Sequence, residues 1–219
     1  LFEQVAKDIA MVRRRYHDVS EGHRDAKVFD LVFLMVDLDH FKSINDSCGH
    51  AAGDSVLVEI RNQLLESCRR SDIVIRWGGD EFLIIARDTD PAQAEKLAER
   101  IRTSIESKVF DLLEGRIGRT TCSIGFSCYP FVRSQPEAVT WEQVLQFADS
   151  ALYEAKKRRN AWVGFVSTGE TLEHEGVARM IRDTPNELVE EGRLALRQSV
   201  ANDLGPAEIH RLRDEPASA

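Results

Sequence analysis

The chain has 219 residues, 42% hydrophobic and 30% charged, with a net charge of −8. That is enough apolar material for one sizeable core, so one domain followed by a tail is the expected organisation. The negative balance argues against nucleic acid as a partner and against an anionic membrane surface, and no apolar run reaches the ~18 residues of a membrane-spanning helix.

The four cysteines, Cys48, Cys68, Cys122 and Cys128, lack the close pairing of a metal site and read as free thiols of a reducing compartment. No signal peptide is visible, which predicts a cytoplasmic location. The sequence begins at Leu1 and enters a helical pattern at once. It reads as a piece of a longer protein, one that could itself be membrane-anchored with this part in the cytoplasm.

Residues 2–16 place Phe2, Val5, Ile9 and Val12 at helical spacing and predict an amphipathic helix. Residues 17–28 are polar and predict a loop. The continuous apolar run Leu31-Val32-Phe33-Leu34-Met35-Val36 predicts a strand buried on both faces, and it ends in Asp37-Leu38-Asp39. Carboxylates at the end of a buried central strand stand where α/β sheets place ligands. A short polar helix and turn follow over 40–50. Gly53-Asp54 then precede a second helix, whose inward stripe is Val56, Leu57, Ile60, Leu64 and Leu65.

Arg76-Trp77-Gly78-Gly79-Asp80-Glu81-Phe82 lies between two β-rich runs and predicts a hairpin, with the glycines supplying left-handed φ angles in a tight turn. Pro91 opens a helix with Ala94, Leu97, Ala98, Ile101 and Ile105 inward, and with Glu95, Glu99, Arg100 and Arg102 off that stripe. A strand is expected over 119–129, where Gly125 marks a bulge or a close approach. A helix is expected over 141–158, then a last short strand over 161–166. From Gly169 on the composition shifts: residues 170–219 hold 11 acidic and 6 basic side chains, with Pro185, Pro206 and Pro216. Glu187–Val200 reads as a helix through Leu188, Leu194 and Leu196, and the remainder as tail or linker.

Asp37 and Asp39, two residues apart at a strand end, share a face. Hard oxygen donors of this kind suit Mg²⁺, which takes one or two carboxylates and leaves its other positions to phosphate and water. If the hairpin pairs beside the Leu31–Val36 strand, Asp80 and Glu81 converge on the same point, where two metal ions would hold a triphosphate. Lys42 could meet phosphate as a point charge. Asn45 and Asp54 offer the donors and acceptors that read a base edge, although Asn45-Asp46 and Gly53-Asp54 would equally serve as helix caps.

Three segments in series, residues 37–46, 49–54 and 76–82, resemble the GGDEF family of diguanylate cyclases in residues, order and spacing. Thr121–Gly125 and Ala148–Lys156 resemble the family's later signatures, so the likeness covers roughly residues 1–166, with 167–219 left as an acidic tail, partly helical or disordered. It implies the α/β fold of nucleotide cyclases and polymerase palm domains, a mostly antiparallel central sheet flanked by helices.

The resemblance also implies an enzyme that condenses two GTP into cyclic di-GMP and two pyrophosphates. Asp37, the Leu38 carbonyl, Asp80 and Glu81 would hold Mg²⁺, two ions per half-site, with Mn²⁺ as a substitute. Asp80 or Glu81 would be the catalytic base. Phe41 and Lys42 would touch ribose and phosphate, Asn45 and Asp54 would read guanine, and His50 would meet substrate. Gly78 and Gly79 would let the substrate approach the backbone, and Lys156 would reach the terminal phosphates. Arg69 and Asp72, with Arg100 beside them, match the family's product-binding inhibitory site; without a ligand, Arg69 and Asp72 would form a local ion pair.

Each domain holds one GTP, so a homodimer is implied, assembled by an upstream sensory or receiver region. A silent domain that binds cyclic di-GMP or GTP as a receptor is the alternative, and a cyclase making adenine or mixed dinucleotides a third; the intact acids and Asp54 weigh against them. The chain departs from the family in four places. The opening Thr-Gly-Leu-x-Asn-Arg element is absent. Arg158-Arg159-Asn160 stands for Gly-Arg-Asn, without the glycine and one residue short, leaving open which basic side chain joins Lys156. The loop over 17–28 is longer than the family's, and the acidic tail has no counterpart.

Overall fold

The computed structural model describes residues 2–20, 30–169, 185–192, 194–199 and 209–211. In chain order the elements are α1 (Phe2–Ser20), β1 (Leu31–Leu38), α2 (Phe41–Cys48), α3 (His50–Ser67), β2 (Ile73–Arg76), β3 (Glu81–Arg87) and α4 (Pro91–Ser107). There follow β4 (Phe110–Asp111), β5 (Arg116–Gly118), β6 (Cys122–Tyr129), α5 (Trp141–Lys156), β7 (Trp162–Ser167), α6 (Pro185–Glu190), β8 (Leu194–Gln198) and β9 (Ile209–Arg211).

Six strands form the main sheet in the order β2-β3-β1-β6-β7-β8, and β4-β5-β9 make a small second sheet. Every neighbouring pair in the main sheet is antiparallel except β6 and β7, which run parallel across the α5 crossover. This is the mostly antiparallel α/β layer predicted from the sequence.

β1 is central and wholly buried because both its faces are covered. Val32, Leu34, Val36 and Leu38 join a core with α2, α3 and α4. Leu31, Phe33 and Met35 join a second core with α1 and α5. Strand parity therefore turns Asp37 toward the α5 side. On β3, Leu83 and Ile85 pack into that same second core, which puts Glu81 on the face of Asp37.

Two close backbone approaches fix helices against this frame. A Cβ at Gly125 would run into the backbone of Ala148 and Leu152, so α5 rides directly on β6. A Cβ at Gly53 would collide with the Asn45 side chain, so α2 and α3 meet there. α4 and α5 are each opened by a capping box, Asp90 with Gln93 and Thr140 with Gln143.

Several expectations need correction. α1 runs on through residues 17–20, and the rest of the expected loop, 21–28, lies outside the described residues. α3 begins at His50, so Gly53-Asp54 lie within its first turns and Asp54 caps nothing. Asn45-Asp46 are likewise inside α2. Leu65 is 44% exposed, while Ala52 and Gly53 take the inward positions. Arg102 is buried at 4% exposure, held by acids that neutralise it.

Glu187–Val200 is not one helix. It breaks at Gly192, which takes a left-handed φ of 71°, and Leu194–Gln198 pairs along the free edge of β7. Strand pairing satisfies a row of backbone groups that an edge would leave open, which outweighs weak helical spacing. All four cysteines are free. No helix among the described residues is long and apolar enough to cross a membrane.

Candidate active site

The β1–β3 register places Asp37 directly opposite Glu81, so the two acidic stretches meet as the hairpin reading required. The turn between β2 and β3 is a four-residue loop, Trp77 to Asp80, with Trp77 and Gly78 donating to the Glu81 carbonyl. Neither Gly78 nor Gly79 takes a left-handed φ, contrary to expectation, because a longer loop does not need one. Arg76 closes it instead, donating from Nε and Nη2 to the Gly79 carbonyl at 3.0 and 2.8 Å. This residue was missed in the sequence reading; its place at the foot of the signature turn was the available signal.

Lys156, the last residue of α5, sets its Nζ 2.7 Å from Asp37 Oδ2 and 4.0 Å from Glu81 Oε1. Burial pushes the Asp37 carboxyl up to about 6, with Asp80 and Glu81 adding repulsion and Lys156 opposing both. Burial works against the Lys156 charge, yet the bond to Asp37 raises its pKa above the usual lysine value. Asp37 and Glu81 share one ammonium, and Asp80 is next in the chain, so the site is short of positive charge. Among the described residues no three His, Cys, Asp or Glu side chains close around one point. The oxygen donors nonetheless fit a hard divalent cation in chemistry, with Lys156 standing where positive charge is needed.

Asp39 does not join them. Its carboxylate accepts from Thr121 Oγ1, Ser123 Oγ and the Asn160 N–H at 2.6, 2.7 and 2.9 Å, which uses its oxygens internally.

Beside the acids lies an open cavity of about 350 Å³ lined by Phe41, Lys42, Asn45, His50, Asp54, Leu57, Arg76, Gly79 and Asp80. It is at the small end of ligand pockets, the size for one end of a nucleotide. Seven sequence candidates are thus brought to one wall. Phe41 is buried, whereas Lys42, His50 and Asp54 are exposed. Arg159, in a left-handed φ of 57°, sets Nη1 3.0 Å from His40 Nε2, next to Phe41.

Arg69, Asp72 and Arg100 cluster at the other end of β2. Asp72 accepts from the backbone N–H groups of Arg69 and Arg87 at 2.8 and 3.3 Å, so the expected ion pair is a turn closed by a carboxylate. Arg100 donates to the Ser67 carbonyl from Nε and Nη2 at 3.1 and 2.7 Å. The Arg69 side chain stands exposed beside them.

The sheet order thus brings acids at the β1 end and at the β2–β3 turn to one edge of an α/β layer. Residues 13–161 match the model of the family described as diguanylate cyclase, GGDEF domain, and the chain belongs to that family. It is 41% identical over 128 residues to diguanylate cyclase A of Treponema denticola, covering 58% of this chain and 33% of that one. Among solved structures, the GGDEF domain of YfiN (TpbB) from Pseudomonas aeruginosa superposes with a TM-score of 0.55 at 36% identity, covering 71% of this chain and 91% of that one. The GGDEF domain of DgcB from Caulobacter crescentus, in complex with c-di-GMP, gives 0.53 at 26%, covering 69% and 83%. The chain spans about a third or less of the curated relatives it matches first.

Proposed function

We propose that this chain is the catalytic part of a diguanylate cyclase, joining two GTP into cyclic di-GMP with release of two pyrophosphates. The observation that carries the reading is the pairing of Asp37 with Glu81, with Lys156 drawn between them and a base-sized cavity alongside. Asn45 and Asp54 bind the guanine edge, and Phe41 lies under the ribose. Asp37, the Leu38 carbonyl, Asp80 and Glu81 would hold Mg²⁺, which would supply positive charge for the phosphates and for the attacking 3′-oxygen. Lys156 exchanges its bond with Asp37 for one with the terminal phosphates, so the ammonium keeps an anionic partner throughout.

Either Asp80 or Glu81 takes the proton. Each 3′-oxygen attacks the α-phosphorus of the other GTP in line, so catalysis is mainly positioning and electrostatics. One cavity holds one GTP, and two copies must face each other. An upstream region in the longer protein brings them together. Product bound at Arg69, Asp72 and Arg100 restrains the enzyme; arginine suits phosphate and guanine alike. DgcB's complex with c-di-GMP supports a dinucleotide as ligand.

The test is purified protein with GTP and Mg²⁺, assayed for cyclic dinucleotide and pyrophosphate. Both should form in a 1:2 ratio. Their continued absence after enforced dimerisation would favour a silent receptor.

A further inference from the structure

We infer that Arg102 and Asn160 are positioning residues, which hold Lys156 at the active-site acids through a buried polar node. The inference rests on the nucleotide-binding reading above and extends it to residues that touch no substrate.

Arg102 lies on α4, away from the site, yet it is 4% exposed and uses its whole guanidinium. Nε and Nη2 donate to the Glu99 carboxylate at 3.0 and 2.7 Å. Nη1 donates to Glu106 Oε2 at 2.8 Å and to Asn160 Oδ1 at 3.0 Å. Asn160, 2% exposed, returns a bond from Nδ2 to Glu106 Oε1 at 2.9 Å. Its backbone N–H donates to Asp39, which the Thr121 and Ser123 hydroxyls also hold. Asn160 therefore ties α4, through its carboxamide, to the residue just past β1, through its backbone N–H. A buried network is costly when partly satisfied and rigid when complete, and this one is complete.

What the node fixes is the turn after α5. Arg159 and Asn160 take left-handed φ values of 57° and 40°, in a turn that lacks a glycine. Residues with a Cβ adopt this conformation only where the surroundings impose it. Arg158 and Arg159 both donate to the Ala155 carbonyl, so the turn is stiff from the end of α5 to Asn160. Lys156 is the helix residue from which that turn springs. Its amine reaches Asp37, two residues before the Asp39 that anchors Asn160. The node thus closes a ring: β1 end, Asn160, turn, Lys156, β1 end.

Asn160→Gly tests the ring, because glycine accepts the left-handed φ and keeps the N–H to Asp39 while deleting the carboxamide. The probe is α,β-methylene GTP with Mg²⁺, followed by calorimetry. Lys156→Ala and Asn160→Gly should each weaken binding about tenfold, the scale of one charged hydrogen bond. The double variant should bind no more weakly than Lys156→Ala alone, since Asn160 acts through Lys156. Additive losses, or unchanged binding in Asn160→Gly, would overturn the inference. If Asn160→Gly does not fold, Arg102→Lys enters the same cycle, keeping a charge for the two glutamates and losing the Nη1 bond to Asn160. If the wild type does not bind the probe, the nucleotide reading fails on its own. The inference is then decided by the acylation rate of Lys156 by an amine reagent, read by mass spectrometry: faster in Asn160→Gly supports it, equal rates overturn it.

Discussion

Asp37 is a residue whose burial costs stability. Its carboxyl is pushed up to about 6 by burial first and by Asp80 and Glu81 next, against an ordinary value of 3.8. The folded chain therefore holds this proton more tightly than the unfolded one. Stability falls as pH rises from about 4 to about 6, and the whole penalty, on the order of 2–3 kcal/mol, is present at neutral pH. Asp37→Asn should raise the Tm at pH 7.5 in the presence of a chelator by several degrees, should change it little near pH 4, and should abolish turnover. Calorimetry at both pH values and a product assay check this; a lower Tm at pH 7.5 would contradict the burial argument.

Asp54 is exposed on the cavity wall, so the proposed pairing with guanine would become strong only once the base covers it. Asp54→Ser should weaken the preference for GTP over ATP by about tenfold or more, because adenine cannot supply the N–H pair a carboxylate takes from guanine. Competition between the two nucleotides measures it, and unchanged selectivity would assign base reading to Asn45 alone.

At the scale of the element, the β2–β3 hairpin carries the acids Asp80 and Glu81 at one end and the arginine cluster at the other. Arg87 connects that cluster to the rest: its N–H donates to Asp72, and its guanidinium donates to the Ser71 carbonyl and holds Asp8 of α1 at 2.5 Å. A ligand at Arg69 can reach the acids only through the hairpin or through a second copy of the chain, a coupling between separate sites typically worth 1–3 kcal/mol. Arg69→Ala should lower affinity for cyclic di-GMP at least tenfold and relieve product inhibition, with GTP affinity retained. Calorimetry with both ligands decides it, and equal cyclic di-GMP affinity would leave Asp72 as no more than the lock of its turn.

At the scale of the molecule, the proposed site with one GTP per chain would make turnover depend on encounter of two copies. Specific activity should rise with protein concentration over the micromolar range and level off when two copies are fused to a dimerising coiled coil. A rate per chain that is flat with dilution would contradict the two-copy site.

Much of this was determined by the sequence alone. The apolar run of β1, the acids that end it, the glycine-rich turn, and the helix stripes of α4 and α5 are local patterns, legible because burial on both faces or one face leaves a period in the chain. The tertiary structure decided what depends on pairing. The register of β1 against β3 set Asp37 opposite Glu81, which no local pattern encodes. The open edge of β7 turned Leu194–Gln198 into a strand despite its helical spacing. Asp39, read from spacing as a ligand, was claimed by Thr121, Ser123 and Asn160 far along the chain, and Arg102, read as a surface charge, was buried between two neighbours on its own helix and the distant Asn160. A polar side chain's role is fixed by what faces it after folding, and that distance in sequence is what a one-dimensional reading cannot cross.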